Sequence, residues 1–477
     1  MPKINTTDKS IESIDKKYCR IKLTGDDPKH HRLVESKEGT LEYQLGLGDI
    51  NKINARKFRS SIRQVVKGAQ EHQLNDIVLE LHPDSFSDLK HYGSEWFWQT
   101  LAENLSIASH KFTLYKTAKK KEKKGLESII VCGIKEKKDR EAFDKGIIIG
   151  EYVNKARDIA NTSGADMTPA DLAKVAKELI RGTKATVKIL SEKELKKLKM
   201  GALLAVGQGT DIESKLIIVE YWGAGKPAKN KPASESQPIV LVGKGITYDS
   251  GGLNIKPSGF MHEMHLDMSG GSSVLATVAI IAKLKLKKNV IALVPAAENA
   301  VSDKAMRSGD IITTMNGTTV EVLHTDAEGR LVMADALTYS ERYKPRAILD
   351  VATLTGASLV ALGQHASAIM TKNQELEEKL RSLGEETGDL VWPLPLWEEY
   401  KQCLKSHRAD ISNIATDFSR YGGAIEGGTF LSHFVPKNTP WAHIDMAPRM
   451  SSIASDKLDK GSTGEPIKLL VRFVETF

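Results

Sequence analysis

The feature that most constrains the fold is a series of short apolar runs between residues 239 and 354. These runs are IVLVG at 239–243, NVIALVPAA at 289–297 and AILDVATL at 347–354. Their length and lack of polar alternation are typical of strands that are buried on both faces. Helix-like stretches such as VLATVAIIAKLK lie between them. Strands that alternate with helices predict an α/β fold with a largely parallel sheet covered on both faces.

The first 140 residues carry a similar but smaller pattern. Strand-like runs lie at 76–82, 112–116 and 128–134, and a helix-like stretch lies at 55–73. The full length of 477 residues exceeds the roughly 250–300 residues at which one hydrophobic core stops growing. We therefore expect two domains.

A domain boundary is predicted near ANTSGADMTP at 160–169, where turn-forming residues precede a new helix that opens at Thr168 and Pro169. The expected organisation is a small N-terminal α/β domain at 1–140, a linker helix and loop at 141–165, and a larger C-terminal α/β/α domain with a mixed, largely parallel sheet at 166–477.

Composition narrows the class of protein. With 40% hydrophobic and 27% charged residues, the chain is typical of a soluble globular protein. Neither a signal-peptide core nor an apolar run of about 18 residues, the length of a membrane span, is evident. The three cysteines, Cys19, Cys132 and Cys403, are far apart and form no CxxC. We expect a cytoplasmic protein without a disulfide framework, a thiolate zinc site or a membrane segment.

A basic run, KTAKKKEKKG at 116–125, carries part of the net charge of +7. Such runs usually belong to solvated loops, and here it would connect two strands. Attraction of nucleic acid is the alternative interpretation.

The segment IVLVGKGITYDSGG at 239–252 passes from an apolar strand into a glycine-rich turn, where α/β folds place their sites. It contains no GxGxxG, no P-loop and no GxSxG. Nearby HEMH at 262–265 is not HExxH, so a helical pair of zinc-binding histidines is not expected.

Carboxylates gather instead near predicted strand ends. They are accompanied by two lysines, and the set comprises Lys244, Asp249, Lys256, Asp267, Asp326 and Glu328. Four buried carboxylates are prohibitively costly without cations, and carboxylate oxygens are ligands for Mn²⁺, Mg²⁺ or Zn²⁺. An ordinary ion pair between Lys244 and Asp249 is the alternative for that lysine. In HTDAEGRL at 324–331, an extended backbone would place Asp326, Glu328 and Arg330 on one face.

These motifs identify a family. GKGITYDSGG, HLDMSGG and TDAEGRL resemble, in order and spacing, the metal-binding motifs of the leucyl aminopeptidases, the M17 metallopeptidases. WPLPLWEEY, ADISNI, GGAIEGGTFLSHFV and WAHIDMA extend the resemblance from about residue 160 to the end. The first 140 residues match only in general character, and a macro-like domain is expected there.

The resemblance implies a role for each site residue. Asp249 and Glu328 would bridge two divalent ions, Mn²⁺ or Zn²⁺, while Lys244 and Asp267 complete the tighter site and Asp326 the more exchangeable one. Lys256 would polarise the substrate carbonyl, and Arg330 would bind a bicarbonate ion that acts as general base. The apolar side-chain pocket would be lined by Met264, Thr353, Gly356, Ala447 and Met450, although Pro448 and Arg449 depart from the family pattern at its floor. His324 stands where the family has Asn, and we expect it to orient Asp326 without binding metal.

The expected activity is removal of N-terminal, mostly apolar, residues from peptides with a free N-terminus. A homo-hexamer with active sites facing an interior cavity is the assembly that the resemblance implies. Two alternatives stay open. One is a dinuclear phosphoester hydrolase, which normally adds histidine ligands, and the other is an additional DNA-binding role of the basic run at 116–125.

Overall fold

A computed structural model describes residues 1–36, 39–117, 125–227, 236–418 and 421–477. The chain divides into two compact units. The first comprises Met1–Asn154 and Ser452–Lys460, and the second comprises Lys155–Ser451 and Gly461–Phe477. The mixed α/β class and the presence of two domains are confirmed. The domain limits at residues 140 and 166 stay a prediction. One helix, Lys137–Asn161, covers most of the predicted linker at 141–165.

The first unit is built on a six-stranded sheet with the order β1-β6-β5-β2-β4-β3, in which only the β3–β4 pair is antiparallel. The strands are β1 (Lys3–Thr7), β2 (Cys19–Thr24), β3 (His31–Glu35), β4 (Leu41–Gly46), β5 (Asp76–Glu80) and β6 (Ser128–Cys132). The helices are α1 (Ala55–Glu71), α2 (Gly93–Ala108) and α3 (Lys137–Asn161), of which α3 continues into the second unit.

One predicted strand of this unit is wrong. Residues 112–116 form a turn, and Leu114 and Tyr115 are exposed. These residues take no part in the six-stranded sheet, in which β5 lies between β2 and β6. The basic run that follows is therefore not a hairpin loop between two strands, and its residues 118–124 lie outside the described ranges.

The second unit contains a nine-stranded sheet with the order β16-β15-β18-β14-β9-β11-β8-β7, with β10 paired to β11. Strands β18, β14, β9 and β11 run parallel, while β8, β7 and β15 form antiparallel pairs. The strands are β7 (Thr186–Leu190), β8 (Lys215–Trp222), β9 (Ile239–Gly243), β10 (Gly245–Asp249), β11 (Asn289–Asn299), β14 (Ala347–Ala352), β15 (Ser367–Met370), β16 (Val391–Pro393) and β18 (Trp441–Asp445). The mixed, largely parallel sheet is confirmed.

A small three-stranded sheet and nine further helices complete this unit as far as the structure describes it. The small sheet comprises β12 (Ile311–Thr313), β13 (Thr319–Glu321) and β17 (Ile411–Ser412). The helices are α4 (Pro169–Leu179), α5 (Glu192–Lys197), α6 (Gly201–Gly207), α7 (Ser269–Lys283), α8 (Gly329–Ser340), α9 (Gly356–Leu362), α10 (Gln374–Thr387), α11 (Gly423–Ser432) and α12 (Ile467–Thr476). As predicted, a helix opens at Thr168 and Pro169, and Thr168 and Asp171 form a capping box at its start.

The central strands are fully buried because α7 and α8 both pack on them. Val240 and Val242 of β9 share a core with Leu331 and Leu337 of α8. The segment Met264–Lys283 is long and apolar enough to cross a membrane, but 89% of its most apolar window is buried inside the fold. Its character is that of a core helix.

Candidate metal and catalytic site

The carboxyl ends of the parallel strands bring most of the predicted site residues together. Lys244 follows β9, Asp249 ends β10 and Thr353 follows β14. Asp267 lies in the short 3-10 helix Met264–Met268, directly before α7, and Glu328 lies directly before α8. Open α/β sheets place their ligand sites at this edge, and the glycine-rich turn after β9 and β10 forms part of it.

Lys244 is buried between two of the predicted carboxylates. Its Nζ lies 2.7 Å from Asp267 Oδ2 and 2.8 Å from Glu328 Oε1, and it donates to the carbonyl oxygen of Thr353 at 3.1 Å. Burial lowers the pKa of Lys244, but the carboxylates outweigh this effect and the net pKa is raised. The partners of Lys244 are therefore Asp267 and Glu328, whereas the alternative of a simple pair with Asp249 is not what the structure shows.

Lys256 makes a second pair of contacts. Its Nζ lies 2.7 Å from Asp249 Oδ2 and 2.5 Å from Asp326 Oδ1. The other Asp249 oxygen accepts hydrogen bonds from the Gly251 amide and from Asn299 Nδ2. Lysines and carboxylates thus alternate through the cluster.

The carboxylates are close enough to share an ion. One ligand atom from each of Asp249, Asp326 and Glu328 lies within 4.8 Å of the others. Burial raises the pKa of Asp326 and of Glu328, and repulsion between the carboxylates raises both further. Burial likewise raises the pKa of Asp267. These three groups therefore resist being ionised together.

The donor set fits divalent cations. Four carboxylates face two lysines, and within the described ranges Glu328 Oε2 is buried with neither a hydrogen bond nor an ion pair. A buried carboxylate oxygen without a partner is costly. Carboxylate oxygens at this spacing, with a lysine amine beside them, suit hard or borderline divalent ions.

The extended geometry predicted for Asp326 to Arg330 is wrong. The Ala327 amide donates to the His324 carbonyl at 3.2 Å, which closes a turn. Glu328 has helical backbone angles, and α8 begins at Gly329. The apolar spacing after Arg330 favours a helix. The two acids still converge because the turn and the helix start bring them to the same edge.

The position before Arg330, Gly329, requires glycine because Lys244 occupies the adjacent space. A Cβ on Gly329 would lie 2.5 Å from Lys244 Cε and 2.6 Å from its Nζ. The space beside Gly329 is occupied by the lysine side chain, so a larger residue would displace it.

Three asparagines that no sequence motif indicates support the cluster. Asn413 Oδ1 accepts from the Leu323 amide at 2.8 Å, and its Nδ2 donates to the His324 carbonyl at 2.7 Å. Asn254 Oδ1 accepts from the Thr325 amide at 2.7 Å. The turn that carries Asp326 is therefore fixed from two sides.

The third asparagine, Asn299, ends β11 and donates to Asp249 Oδ1 at 2.8 Å and to the Thr325 carbonyl at 3.2 Å. Outer-shell partners of this kind orient ligand carboxylates. The sequence signal for these residues is their position, because Asn299 ends β11 of the large sheet and Asn413 directly follows β17 of the small sheet.

Arg330 lies in the first turn of α8 and is buried. Its Nη1 donates to the Asn413 carbonyl at 2.7 Å, whereas its Nε has no partner among the described residues. Burial lowers the pKa of Arg330, against the opposing effect of Glu426, Glu328 and Asp445. A guanidinium edge without a protein partner is suited to an anion.

His324 contacts the backbone of Asp326 and not its carboxylate. Its Nδ1 accepts from the Asp326 amide at 3.3 Å. Burial lowers the pKa of His324, and Lys256 and Arg330 lower it further, so the imidazole is held neutral.

The predicted pocket residues lie around the same edge. Thr353 donates its hydroxyl hydrogen to Asp267 Oδ1 at 2.6 Å. Gly356 begins α9 and is exposed, while Ala447 and Met450 flank the turn after β18 and are half-buried. Met264 begins the 3-10 helix that carries Asp267 and is also half-buried.

Pro448 and Arg449, where the chain departs from the family pattern, are both buried. Arg449 pairs with Glu465, with Nη2 at 2.7 Å from Oε1. The unusual residues at the predicted pocket floor are thus fixed within the second unit.

Comparison with known proteins places the chain in a family. Residues 154–471 match the cytosol aminopeptidase family, catalytic domain. The chain is 40% identical over 436 residues to a probable cytosol aminopeptidase of Histophilus somni (strain 129Pt), covering 90% of this chain and 84% of that protein. It is 43% identical over 380 residues to a probable cytosol aminopeptidase of Saccharophagus degradans, covering 79% of this chain and 73% of that protein.

A solved structure of the bottromycin maturation enzyme BotP in complex with Mn is similar along the whole chain. The TM-score is 0.83 and the identity 27%, with 99% of both chains covered. Both the match to the catalytic domain and the two relatives confirm the resemblance drawn from the motifs. The chain therefore belongs to the cytosol aminopeptidase family.

Proposed function

We propose that this metallo-aminopeptidase removes leucine and other apolar residues from the N-terminus of peptides with two divalent ions bound at its carboxylate cluster. The observation that carries the proposal is the convergence of Asp249, Asp326 and Glu328 within 4.8 Å of one another. Asp249 and Glu328 would contact both ions, Lys244 and Asp267 would complete one site, and Asp326 the other.

Divalent ions held by these residues would supply activation of water and a binding site for the free amino group of the substrate. Lys244 must lose a proton to bind a metal ion, because only a neutral amine can coordinate. Its buried ammonium lies against Asp267 and Glu328, so the ion would replace a proton at a place already built for positive charge.

Lys256 would act on the substrate. Cations that bind Asp249 and Asp326 would take over the negative charge that now holds Lys256 Nζ at 2.7 Å and 2.5 Å. The ammonium group would then be available to polarise the carbonyl oxygen and hold the charge that develops on it. Arg330, with its free Nε, would hold a bicarbonate ion that accepts the proton of water.

The substrate side chain would lie against Met264, Thr353, Gly356, Ala447 and Met450. Methionine at two of these positions suits several apolar shapes, since its thioether is flexible. His324 would keep the turn of Asp326 in place through its hydrogen bond to the Asp326 amide. Mn²⁺ or Zn²⁺, a cytoplasmic location and a homo-hexamer belong to the same proposal, which the names of the relatives support only at the level of the family.

The requirement for a free N-terminus tests this function directly. With Mn²⁺ supplied, we expect hydrolysis of leucyl-p-nitroanilide and refusal of its N-acetyl form, because acetylation removes the amine that binds the metal centre. p-Nitrophenyl phosphate serves as the control for phosphoester hydrolysis. Equal rates on the free and acetylated anilides, or turnover of the phosphate ester alone, would contradict the proposal.

A further inference from the structure

Asp445 is a fully buried carboxylate at the end of β18 that joins two separate segments. From the segment after β14 it accepts hydrogen bonds from the Leu354 amide at 3.1 Å, the Thr355 amide at 3.4 Å and the Thr355 hydroxyl at 2.6 Å. From the turn that follows its own strand it accepts one from the Ala447 amide at 3.2 Å. One side chain thus holds four donors.

Both segments form walls of the proposed side-chain pocket. The first carries Thr353 and leads into α9 at Gly356, and the second carries Ala447 and Met450. Helix α9 packs directly against the 3-10 turn Ala447–Arg449. The separation of these walls determines how large a substrate side chain the pocket accepts.

Thr355 makes the first wall rigid. It is the N-cap of α9, and its hydroxyl oxygen accepts from the Ser358 amide at 3.2 Å while its hydrogen is donated to Asp445. The start of α9 is therefore fixed to β18 through a single carboxylate. A side-chain amide at this position has only one acceptor oxygen, so the backbone amides on Oδ1 and the Thr355 hydroxyl on Oδ2 cannot all keep an acceptor.

The same segment reaches the metal centre. Thr353 accepts a hydrogen bond from Lys244 and donates one to Asp267, and it directly precedes the residues held by Asp445. A shift of this segment would therefore move the pocket wall relative to the reacting carbonyl.

We propose that Asp445 is a positioning residue that sets the preference for large apolar side chains by fixing the two pocket walls together. The inference rests on the proposed function, because the pocket residues are part of it. Asp445 touches neither substrate nor metal in this account, and it acts through the segments that it holds.

The test compares Asp445→Asn with Asp335→Asn. Asp335 is also fully buried and accepts from the backbone amides of Leu203 at 3.0 Å and Met315 at 2.8 Å, which are not pocket residues. Metal content, kcat and KM are measured for leucyl- and alanyl-p-nitroanilide. Affinities for leucine and alanine hydroxamates are measured in the same samples and do not depend on turnover.

For Asp445→Asn we expect the bound metal to be retained and the leucyl-to-alanyl ratio of kcat/KM to fall about tenfold, mainly through KM, because a loosened wall discriminates poorly by size. The hydroxamate affinity ratio should fall in parallel. Asp335→Asn should lower thermal stability and leave both ratios unchanged. Thr355→Val, which removes the hydroxyl that donates to Asp445 and accepts from the Ser358 amide but keeps the backbone contacts of Asp445, should shift both ratios in the same direction by less.

An unchanged hydroxamate ratio in Asp445→Asn and Thr355→Val would overturn the inference, and so would an equal fall in Asp335→Asn. If Asp445→Asn does not fold, the ratios of Thr355→Val test the inference alone. Wild-type protein that hydrolyses neither anilide would contradict the proposed function instead. The hydroxamate affinity ratios would still test whether Asp445 positions the pocket walls.

Discussion

Among single residues, Lys256 is a cation that lies against proposed metal ligands without being proposed as a ligand itself. It contacts two proposed metal ligands, Asp249 and Asp326, yet its proposed role is toward the substrate. Lys256→Ala should retain both metals, since it removes a competing cation, and lose about 10²–10³-fold in kcat, the usual cost of one group that stabilises an oxyanion. Metal analysis and kinetics on the same sample measure both. Loss of metal with the side chain would make Lys256 a ligand or a structural residue.

Gly329 offers a steric test of Lys244. Because a Cβ there would lie 2.5 Å from Lys244 Cε, Gly329→Ala should push the amine away from Asp267 and Glu328. We expect loss of one metal equivalent after dialysis and a matching loss of activity. Gly125→Ala, where a Cβ would have no atom of the described residues within 4 Å, is the control. Full metal occupancy in Gly329→Ala would show that Lys244 is not needed to hold an ion.

The charged residues of the cluster could be predicted from the sequence because few residue types can bind divalent cations. Four carboxylates near strand ends require cations, and motif spacing pointed to the same six positions. Their amide partners were not predictable in this way. Asn413 lies 89 residues from His324 in sequence, and their hydrogen bond depends on β17 pairing with β13, which no local pattern specifies.

At the scale of elements, β14 and β18 share a buried ion pair below the site. His443 Nδ1 and Asp350 Oδ1 are 2.5 Å apart, and Trp441 Nε1 donates to Asp350 Oδ2 at 2.5 Å. Burial lowers the pKa of His443, but the charge of Asp350 outweighs it and the net pKa is raised.

This pair predicts a pH-dependent stability. A raised pKa means that the pair contributes fully below the unfolded pKa of about 6.5 and that its contribution is lost as pH rises through the folded value. Asp350→Asn should therefore lower the thermal midpoint most at acidic pH, and the difference from wild type should shrink as pH rises. Thermal unfolding of both proteins from acidic to neutral pH measures this difference in midpoint. A difference that grows with pH would contradict a raised pKa of His443.

Elements were predictable where burial alone determines them. Strands β9, β11 and β14 are mostly apolar and mostly buried, and their predicted positions are confirmed. Residues 112–116 have strand-like composition but form a turn, with the Lys116 amide donating to the Thr113 carbonyl. The segment from Asp326 to Arg330 became a turn and a helix start, since the spacing of Leu331 and the following apolar residues favours α8 over an extended strand.

At the scale of the whole molecule, assembly stays a prediction from the family resemblance. A homo-hexamer would sediment with about six times the chain mass of 52.4 kDa. Sedimentation velocity at several protein concentrations measures this. A single species with the mass of one chain would remove the hexamer and the enclosed cavity from the proposal.

We propose that hydrolysis requires two divalent ions bound at the carboxylate cluster. Titration of metal-stripped protein with metal ions is the decisive test. Protein freed of metal by chelation should not hydrolyse leucyl-p-nitroanilide, because its carboxylates and lysines alone cannot activate water. Adding Mn²⁺, Zn²⁺, Co²⁺ or Mg²⁺ in steps should restore turnover as bound metal approaches two ions per chain. Full turnover in a stripped sample whose metal content is verified as negligible would contradict the claim.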